Sequence, residues 1–183
     1  MIFEAVETGG RGTNAFRMIE QTLSEAKIER EQIDVLAVGL GPGSYTGIRA
    51  AISLAQGWQL ARGVKLLGVS SAEAIAAQAI VEKILGRVNV VIDAQRNEFY
   101  LATYEVAPDG WREISPLIIL SRAAIQSRAE AGEILAGPEV TKWFPSGRTF
   151  SRARRRWRNW PRAGATLCRA KSWSRFICGR RIL

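Results

Sequence analysis

The sequence predicts an α/β fold built of two related lobes. Strand and helix signals alternate through the first half, and two β-rich runs, RVNVVIDA and EFYLATYEV, then restart the pattern. The chain has 183 residues, of which 47% are hydrophobic, and this is enough for a real core. We therefore expect a first lobe over 1–86, a second lobe over 87–150 and a separate tail over 151–183.

Short strands alternate with helices in the predicted first lobe. The apolar run IDVLAVGLG is typical of a strand that is covered on both faces. Thr13 or Asn14 is the expected N-cap of the first helix, and Ser70 or Ser71 that of the last. The predicted elements are a strand over 2–6, a helix over 13–28, a strand over 33–41, a helix over 46–62, a strand over 64–69 and a helix over 71–85.

The second lobe is predicted to open with a hairpin. Gln95, Arg96 and Asn97 separate its two β-rich runs and form the expected turn. The run WREISPLIIL predicts a third strand. SRAAIQSRAEA then predicts a helix, and GEILAG a short strand.

The composition excludes several classes of protein. No stretch approaches the roughly 18 consecutive apolar residues of a membrane span, and the N-terminus has no basic region followed by an apolar one. We therefore expect a soluble, cytoplasmic protein with no membrane partner. Cys168 and Cys178 are too few for a disulfide framework and are not spaced as a zinc pair.

The net charge of +9 comes from the tail alone. Residues 151–183 hold 11 of the 26 Lys and Arg and none of the 17 Asp and Glu, which leaves 15 basic and 17 acidic residues in 1–150. Both cysteines and three of the six tryptophans also lie there. This break at Ser151 indicates a separate functional segment or a segment of separate origin.

A glycine-rich loop, GLGPGS, stands directly before the second predicted helix. Gly39, Gly41 and Gly43 permit backbone conformations and close approaches that a side chain would forbid, and Ser44 or Thr46 can cap the helix. A structural strand-to-helix turn is the simpler interpretation. An anion site at the helix N-terminus is the alternative, although the loop lacks a GxxxxGK[ST] lysine and fits GxGxxG poorly.

The helix after this loop has almost no polar face. From Ile48 to Arg62 its only longer polar side chains are Arg49, Gln56, Gln59 and Arg62. A helix that is apolar nearly all round is buried on more than one side. One side can pack on the sheet, and its small residues would let a partner helix approach on the other.

These residues resemble a known family. GLGPGSYTGIRAAISLAQGW is similar to the glycine-rich G-P-G-S-[F/Y]-T-G-x-R segment of the bacterial TsaB proteins. VIDAQRNEFYLATYEV resembles their second-lobe hairpin, and LLGVSSAEAIAAQA is a third matching block. The resemblance extends from about residue 13 to residue 140. It implies the two-lobed actin-like ATPase (ribonuclease H-like) fold, here with an incomplete first lobe.

The resemblance also implies a function. TsaB proteins are non-catalytic subunits of the machine that makes N6-threonylcarbamoyladenosine beside the anticodon of tRNAs reading codons that begin with A. A TsaB protein holds the catalytic paralogue TsaD through a bundle formed by the helices that correspond here to 13–28 and 46–62. A TsaE-like ATPase joins the complex, and tRNA is contacted indirectly. No cofactor is implied for this subunit alone, because any ATP acts at the level of the complex.

Two groups of site residues follow from this resemblance. Without TsaD, the interface residues would form a homodimer. The expected interface consists of Phe16, Ile19, Leu23, Ile48, Ala51, Ile52 and Ala55. The expected glycine-rich loop consists of Gly41, Pro42, Gly43, Ser44, Thr46, Gly47 and Arg49.

The sequence predicts no catalytic or metal site. The catalytic paralogue needs a histidine pair to hold a metal, and the 183 residues contain no histidine. Asp93 could interact with a ligand, although capping of the following turn is the simpler role. Arg49 could contact a phosphate or a partner, and helix stabilisation or solvation is the simpler role.

Two features depart from the family pattern. TsaB proteins open with a strand carrying an xxDT turn and a second strand, which this sequence lacks. Because the missing strand lies inside the sheet, we expect two unpaired edges and either poor stability or a substitute strand.

The tail is the second departure. Read one nucleotide earlier, codons for residues 173–179 permit Leu-Glu-Pro-Ile-Tyr-Leu-Arg, similar to the P-x-Y-L-R ending of the family. A reading-frame change near residues 149–152 explains this. The rival interpretation is a basic, tryptophan-containing arm for single-stranded RNA, which would make the chain an RNA-binding protein. A degenerate actin-like ATPase or sugar kinase is a further alternative.

Overall fold

A computed structural model describes residues 14–149 of the chain. The predicted strand over 2–6, the tail over 151–183 and the proposed frame change lie outside the described residues. The predictions made for those segments therefore stay predictions.

The described residues alternate helices and strands, which confirms the predicted α/β class. In chain order the elements are α1 (Ala15–Ala26), a short 3₁₀ helix (Arg30–Gln32), β1 (Val35–Gly41), α2 (Tyr45–Arg62), β2 (Lys65–Ser70), α3 (Ser71–Val81), β3 (Gly86–Gln95), β4 (Glu98–Ala107), β5 (Gly110–Ser121), α4 (Arg122–Glu130), β6 (Ile134–Gly137), α5 (Val140–Trp143) and β7 (Arg148–Thr149). No helix among them is both long and apolar enough to cross a membrane.

The first sheet consists of β1 and β2, which run parallel. Their side chains meet α2 in a small core of Val38, Ile52, Ala55, Val64 and Leu66. Leu36, Leu40, Ile48 and Trp58 pack around this core and are partly buried. Within the described residues β1 pairs with β2 alone, so its second edge has no described strand beside it.

The second sheet has five strands in the order β5-β4-β3-β6-β7. Strands β3, β4 and β5 form an antiparallel meander, and β6 and β7 add in parallel on the other side of β3. The predicted hairpin turn is confirmed: Gln95, Arg96 and Asn97 all have positive φ, at 71°, 55° and 62°. Asp93 Oδ1 accepts a hydrogen bond from the Gln95 N–H at 2.7 Å, which is the turn-capping role.

Helix α3 lies on the second sheet and also contacts both strands of the first. Ser70 is its N-cap and accepts from the Ala72 N–H at 3.2 Å. Ala72, Ala76 and Ala79 are at most 1% exposed and face a cluster of β3 and β4 side chains. Their lack of bulk lets the helix approach the sheet closely.

Helix α3 ends four residues earlier than the sequence predicts. Lys83 takes a left-handed conformation, with φ of 57°. The Ile84 N–H donates to the Ala79 carbonyl and the Lys83 N–H to the Ile80 carbonyl. This pair of bonds closes the helix without the glycine that usually marks such an end.

The opposite face of the second sheet has its own core. Val91, Phe99 and Leu101 pack there against Ile125 of α4 and Phe144. Gly137 at the end of β6 has no room for a side chain, because a Cβ atom would collide with the Val91 carbonyl. The two cores make β3 and β4 the buried centre of the sheet.

Two ionisable groups on the side of the second sheet covered by α3 have raised pKa values. Burial raises the pKa of the Glu73 carboxyl above 4.5; a backbone hydrogen bond to Ser70 opposes the rise, and the charge of Glu113 adds to it. Burial likewise raises the pKa of Tyr104, with smaller contributions from Glu113 and Glu73. Tyr104 therefore stays neutral at physiological pH.

Candidate partner interface and glycine-rich loop

The loop between β1 and α2 requires glycine at position 41. Gly41 is buried and has φ of 88°, a conformation that side chains disfavour. A Cβ atom there would lie 2.6 Å from Ile48 Cδ1 and 3.3 Å from the Gly43 nitrogen. Gly43 is exposed, and a Cβ atom on it would meet nothing within 4 Å. Position 41 therefore requires glycine, whereas position 43 has room for a side chain.

Ser44 is the N-cap of α2. Its Oγ accepts a hydrogen bond from the Gly47 N–H at 3.3 Å, and its carbonyl accepts from Ile48 at 2.9 Å. Thr46, the other predicted cap, is an exposed residue inside the helix. These contacts account for the loop as a strand-to-helix turn.

Arg49 lies against Tyr45 on the first turn of α2. Its Nη1 donates to the Tyr45 hydroxyl at 3.1 Å, and its Cζ is 5.3 Å from the centre of the tyrosine ring. Tyr45 is 73% exposed. The pair therefore forms an ordered polar and aromatic edge on the outside of the helix.

One side of α2 belongs to the core of this chain. Ile52 is 5% exposed and Ala55 is 0% exposed, and both pack on the first sheet. Both are among the interface residues that the family resemblance implies, and their burial against the sheet corrects that prediction. Ile48 is half-buried on the same core, so it too contacts the sheet. The reason is geometric, since positions 48, 52 and 55 share one face of a helix.

The remaining predicted interface residues are accessible. Phe16 of α1 is 75% exposed, and Ala51 of α2 is also exposed. Ile19 and Leu23 are half-buried. No residue of α1 is fully buried, although its apolar side chains recur at helical spacing.

Two ion pairs lie at the polar rim of this region. Arg30 of the 3₁₀ helix pairs with Glu20 of α1 at 2.5 Å, and Glu31 pairs with Arg62 at the end of α2 at 2.8 Å. All four side chains are exposed, so each pair contributes little to stability. Their geometry nevertheless links both helix segments through the 3₁₀ helix.

Two exposed apolar residues lie outside the predicted interface set. Leu60 of α2 is 91% exposed and Tyr45 is 73% exposed. Leu60 lies about 80° around the helix from Ile52, outside the buried face. A helical wheel centred on Ile52 would have identified it, but the sequence alone did not show which face was central.

No three histidine, cysteine or acidic side chains come together to form a metal site within residues 14–149. Asp93 faces its own turn, as described above. The described site is therefore a surface of apolar helix faces beside a glycine turn.

Most of the described residues match known proteins. The profile of the family described as TsaD, tRNA N6-adenosine threonylcarbamoyltransferase, matches residues 13–141. A protein of Mycobacterium tuberculosis strain H37Rv is 38% identical over 122 residues, which are 67% of this chain and 53% of that protein. The tRNA threonylcarbamoyladenosine biosynthesis protein TsaB of Escherichia coli K12 is 32% identical over 125 residues, 68% of this chain and 53% of that protein.

Solved structures agree with these matches. YeaZ from Pseudomonas aeruginosa superimposes with a TM-score of 0.57 at 29% identity, covering 68% of this chain and 58% of that one. The similarity supports the actin-like, ribonuclease H-like fold that the sequence predicts. The chain spans about half the length of the curated relatives it matches.

Proposed function

This chain belongs to the TsaB family, and we propose that it is the non-catalytic dimerisation subunit of a complex that forms N6-threonylcarbamoyladenosine beside the tRNA anticodon. Its partner is a TsaD-type catalytic paralogue. A TsaE-like ATPase completes the complex, tRNA is contacted indirectly, and any ATP acts at the level of the complex.

The observation that carries this proposal is the unburied apolar surface of α1 and α2. Phe16 and Leu60 are 75% and 91% exposed, and α1 has no fully buried residue. Large apolar side chains left exposed in this way are typical of a protein interaction site. A facing pair of helices from a partner would cover it and complete a four-helix arrangement.

Small residues on α2 support close packing by such a partner. Ala50, Gly57 and Ala61 are exposed and lie on the side of the helix away from Ile52 and Ala55. Without bulky side chains, two helix axes can approach more closely than usual.

The proposal assigns catalysis to the partner. A chain with no histidine cannot supply the histidine pair that holds the metal of the catalytic paralogue. The described surface instead supplies what a scaffold needs, namely a rigid helix placed by a sheet and a capped turn.

The decisive experiment is co-purification with a tagged TsaD-type paralogue from the same organism. Ala50→Arg adds a charge among the small residues on the exposed side of α2 and is expected to abolish association, since an unpaired charge would be buried on docking. Ala123→Arg places the same change on the exposed surface of α4 and serves as the matched control. Equal recovery of both variants would contradict the proposed interface.

A further inference from the structure

The outer edge of β1 carries backbone groups that no described strand pairs. Within residues 14–149, β1 pairs with β2 alone. The Lys65 N–H donates to the Asp34 carbonyl at 2.9 Å, so the backbone groups of Asp34 point toward β2. Because backbone groups alternate in direction along a strand, those of Val35, Ala37 and Gly39 point away from β2. Their N–H donors and carbonyl acceptors are therefore available to a further strand.

Strand β1 holds neither a charge nor a proline, which are common protections of an exposed strand edge. Val35 is 47% exposed, and Ala37 and Gly39 are exposed as well. The register shift between Gly39 and Gly41 lies at the far end of the strand, so residues 35–39 form a regular edge. This edge is open to strand addition.

Strands β1 and β2 form an incomplete sheet by themselves. A sheet of two strands is at best marginally stable, and parallel strands normally lie in larger sheets that are buried. A third strand beside β1 would pair its outward backbone groups and shield the exposed side chain of Val35. The outer edge of β1 is thus the place where this sheet is expected to grow.

The connections around β1 determine which segment can reach this edge. Helix α2 connects β1 to β2 and covers the face of Val38. Arg30 of the 3₁₀ helix pairs with Glu20 of α1, and Glu31 pairs with Arg62 of α2. Helix α1 therefore lies on the same side of the sheet as α2. Since connections between parallel strands are almost always right-handed, a parallel strand that precedes α1 would lie beside β1, on the edge away from β2.

The sequence predicts one strand before α1. It is the segment 2–6, IFEAV, which lies outside the described residues. Its five residues match the length of the open edge at 35–39. Residues 7–14 separate the segment from α1 and include three glycines, which is ample length for a connection from a strand to a helix.

We propose that residues 2–6 form a third, parallel strand on the outer edge of β1, with Phe3 and Ala5 facing α1 and α2. Glu4 determines this choice of face, because a carboxylate beneath the helices would be buried without a partner. Phe3 and Ala5 instead supply apolar contacts to the half-buried side of α1. The proposal concerns the sheet beneath the helices and does not rest on the proposed function.

This orientation also determines the direction of the backbone groups in the added strand. For L-residues in parallel strands, the face of a side chain and the direction of its backbone groups are coupled. Leu36 and Val38 lie on the α2 side and direct their backbone groups toward β2. In a strand on the other side of β1, Phe3 and Ala5 therefore direct theirs toward β1, whereas Glu4 directs its N–H away from the sheet.

The first test is amide hydrogen exchange of the full chain, followed by NMR. The Ala37 and Gly39 amides should exchange at least about 100-fold more slowly than unstructured amides, because the added strand accepts their hydrogen bonds. Ala5→Pro removes an N–H that bonds β1 and should accelerate their exchange at least about tenfold, and by more than that of the Val38 amide, which bonds β2. Glu4→Pro is the matched control. It removes an N–H on the outer side of the strand and should leave the exchange nearly unchanged.

The second test identifies the strand on this edge. Neighbouring strands lie about 4.8 Å apart, so the Ala37 and Gly39 amides should give nuclear Overhauser cross-peaks to α-protons of residues 2–6. A mixture of labelled and unlabelled chains separates contacts within one chain from contacts between two copies. Fast exchange of both amides in the parent chain, equal effects of the two proline variants, or cross-peaks to residues 151–183 or to another copy would each overturn the proposal. None of these results depends on binding of a TsaD-type partner.

Discussion

The Thr103 hydroxyl donates a hydrogen bond to Asn89 Oδ1, 2.8 Å away, between adjacent strands at the centre of the second sheet. Asn89 is 0% exposed and Thr103 is 3% exposed. The Asn89 amide in turn donates to Glu133 Oε2 at 2.8 Å, and Arg128 donates to the same oxygen at 3.2 Å. The chain of bonds connects β3, β4 and the segment between α4 and β6, and it satisfies polar groups that would otherwise be buried unpaired.

Thr103→Val should destabilise the protein by about 1–3 kcal/mol, because it keeps the shape of the side chain but leaves Asn89 Oδ1 without its donor. Urea unfolding followed by circular dichroism measures the change. Thr141→Val is the control, since the Thr141 hydroxyl bonds Thr149 at an exposed position and its loss should cost less than about 0.5 kcal/mol. Equal costs for the two variants would show that burial does not determine the effect.

Ala55→Arg and Ala50→Arg should separate folding from binding. Ala55 is 0% exposed, so an arginine there combines overpacking with an unpaired buried charge and should cost more than about 3 kcal/mol. Ala50 is exposed, and its substitution should change stability by about 0.5 kcal/mol or less. Thermal unfolding of the isolated chain measures both. Similar melting temperatures for the two variants would contradict the assignment of faces on α2.

Gly41→Ala should destabilise the first sheet by about 1–3 kcal/mol, because position 41 combines positive φ with a contact to Ile48. Gly43→Ala is the matched substitution two residues away, where a Cβ atom meets nothing within 4 Å, and it should be nearly neutral. Chemical denaturation compares the two. A larger loss at position 43 than at position 41 would contradict this account of the loop.

Gly57→Ala should raise the stability of the isolated chain by about 0.5–1 kcal/mol, since Gly57 lies inside α2 with nothing near a Cβ atom. If a partner helix approaches this surface closely, the same methyl group should weaken the complex. Melting temperature and affinity for the TsaD-type partner would then change in opposite directions. An increase in both the melting temperature and the affinity would show that the partner contacts another part of α2.

Stability should fall as pH rises through the range in which Glu73 ionises. The folded pKa of Glu73 is raised above the value of 4.5 that applies to the unfolded chain, so the folded state holds this proton more tightly. The resulting stabilisation is present below pH 4.5 and is lost as pH rises through the folded pKa. Glu73→Gln retains an acceptor for the Ser70 N–H and should remove this part of the pH dependence. Urea titrations from pH 4 to 7.5 measure the difference, and parallel profiles for the two proteins would contradict it.

Local signals predicted those parts of the fold that depend on neighbouring residues. The apolar run of β1, the serine cap of α3 and the hairpin turn at Gln95 to Asn97 all lie where the sequence placed them. The end of α3 lies earlier than predicted, because Lys83 adopts a left-handed conformation that is uncommon for lysine and that the sequence does not indicate. The short elements α5 and β7 were not predicted either, since four and two residues are too few to show a periodic pattern.

The candidate site shows the same limit. A helix that is apolar nearly all round has no amphipathic direction, so its sequence could not tell which side faces the sheet. Ile52 and Ala55 were therefore placed on the wrong side, and Leu60 was overlooked. Only the position of β1 and β2 beneath α2 determines the orientation, and that depends on contacts between residues distant in the chain.

Strand β3 pairs antiparallel with β4 and parallel with β6, and this difference has a kinetic consequence. Its pairing with β4 closes a turn of two residues, Arg96 and Asn97, whereas its pairing with β6 joins Val88 to Ile134 across 46 positions of chain. Closing a long loop is entropically costly, and nearby contacts generally form first. The hairpin is thus the natural nucleus for folding, with β6 docking after the main barrier. Substitutions in β4 should slow refolding, and substitutions in β6 should mainly accelerate unfolding.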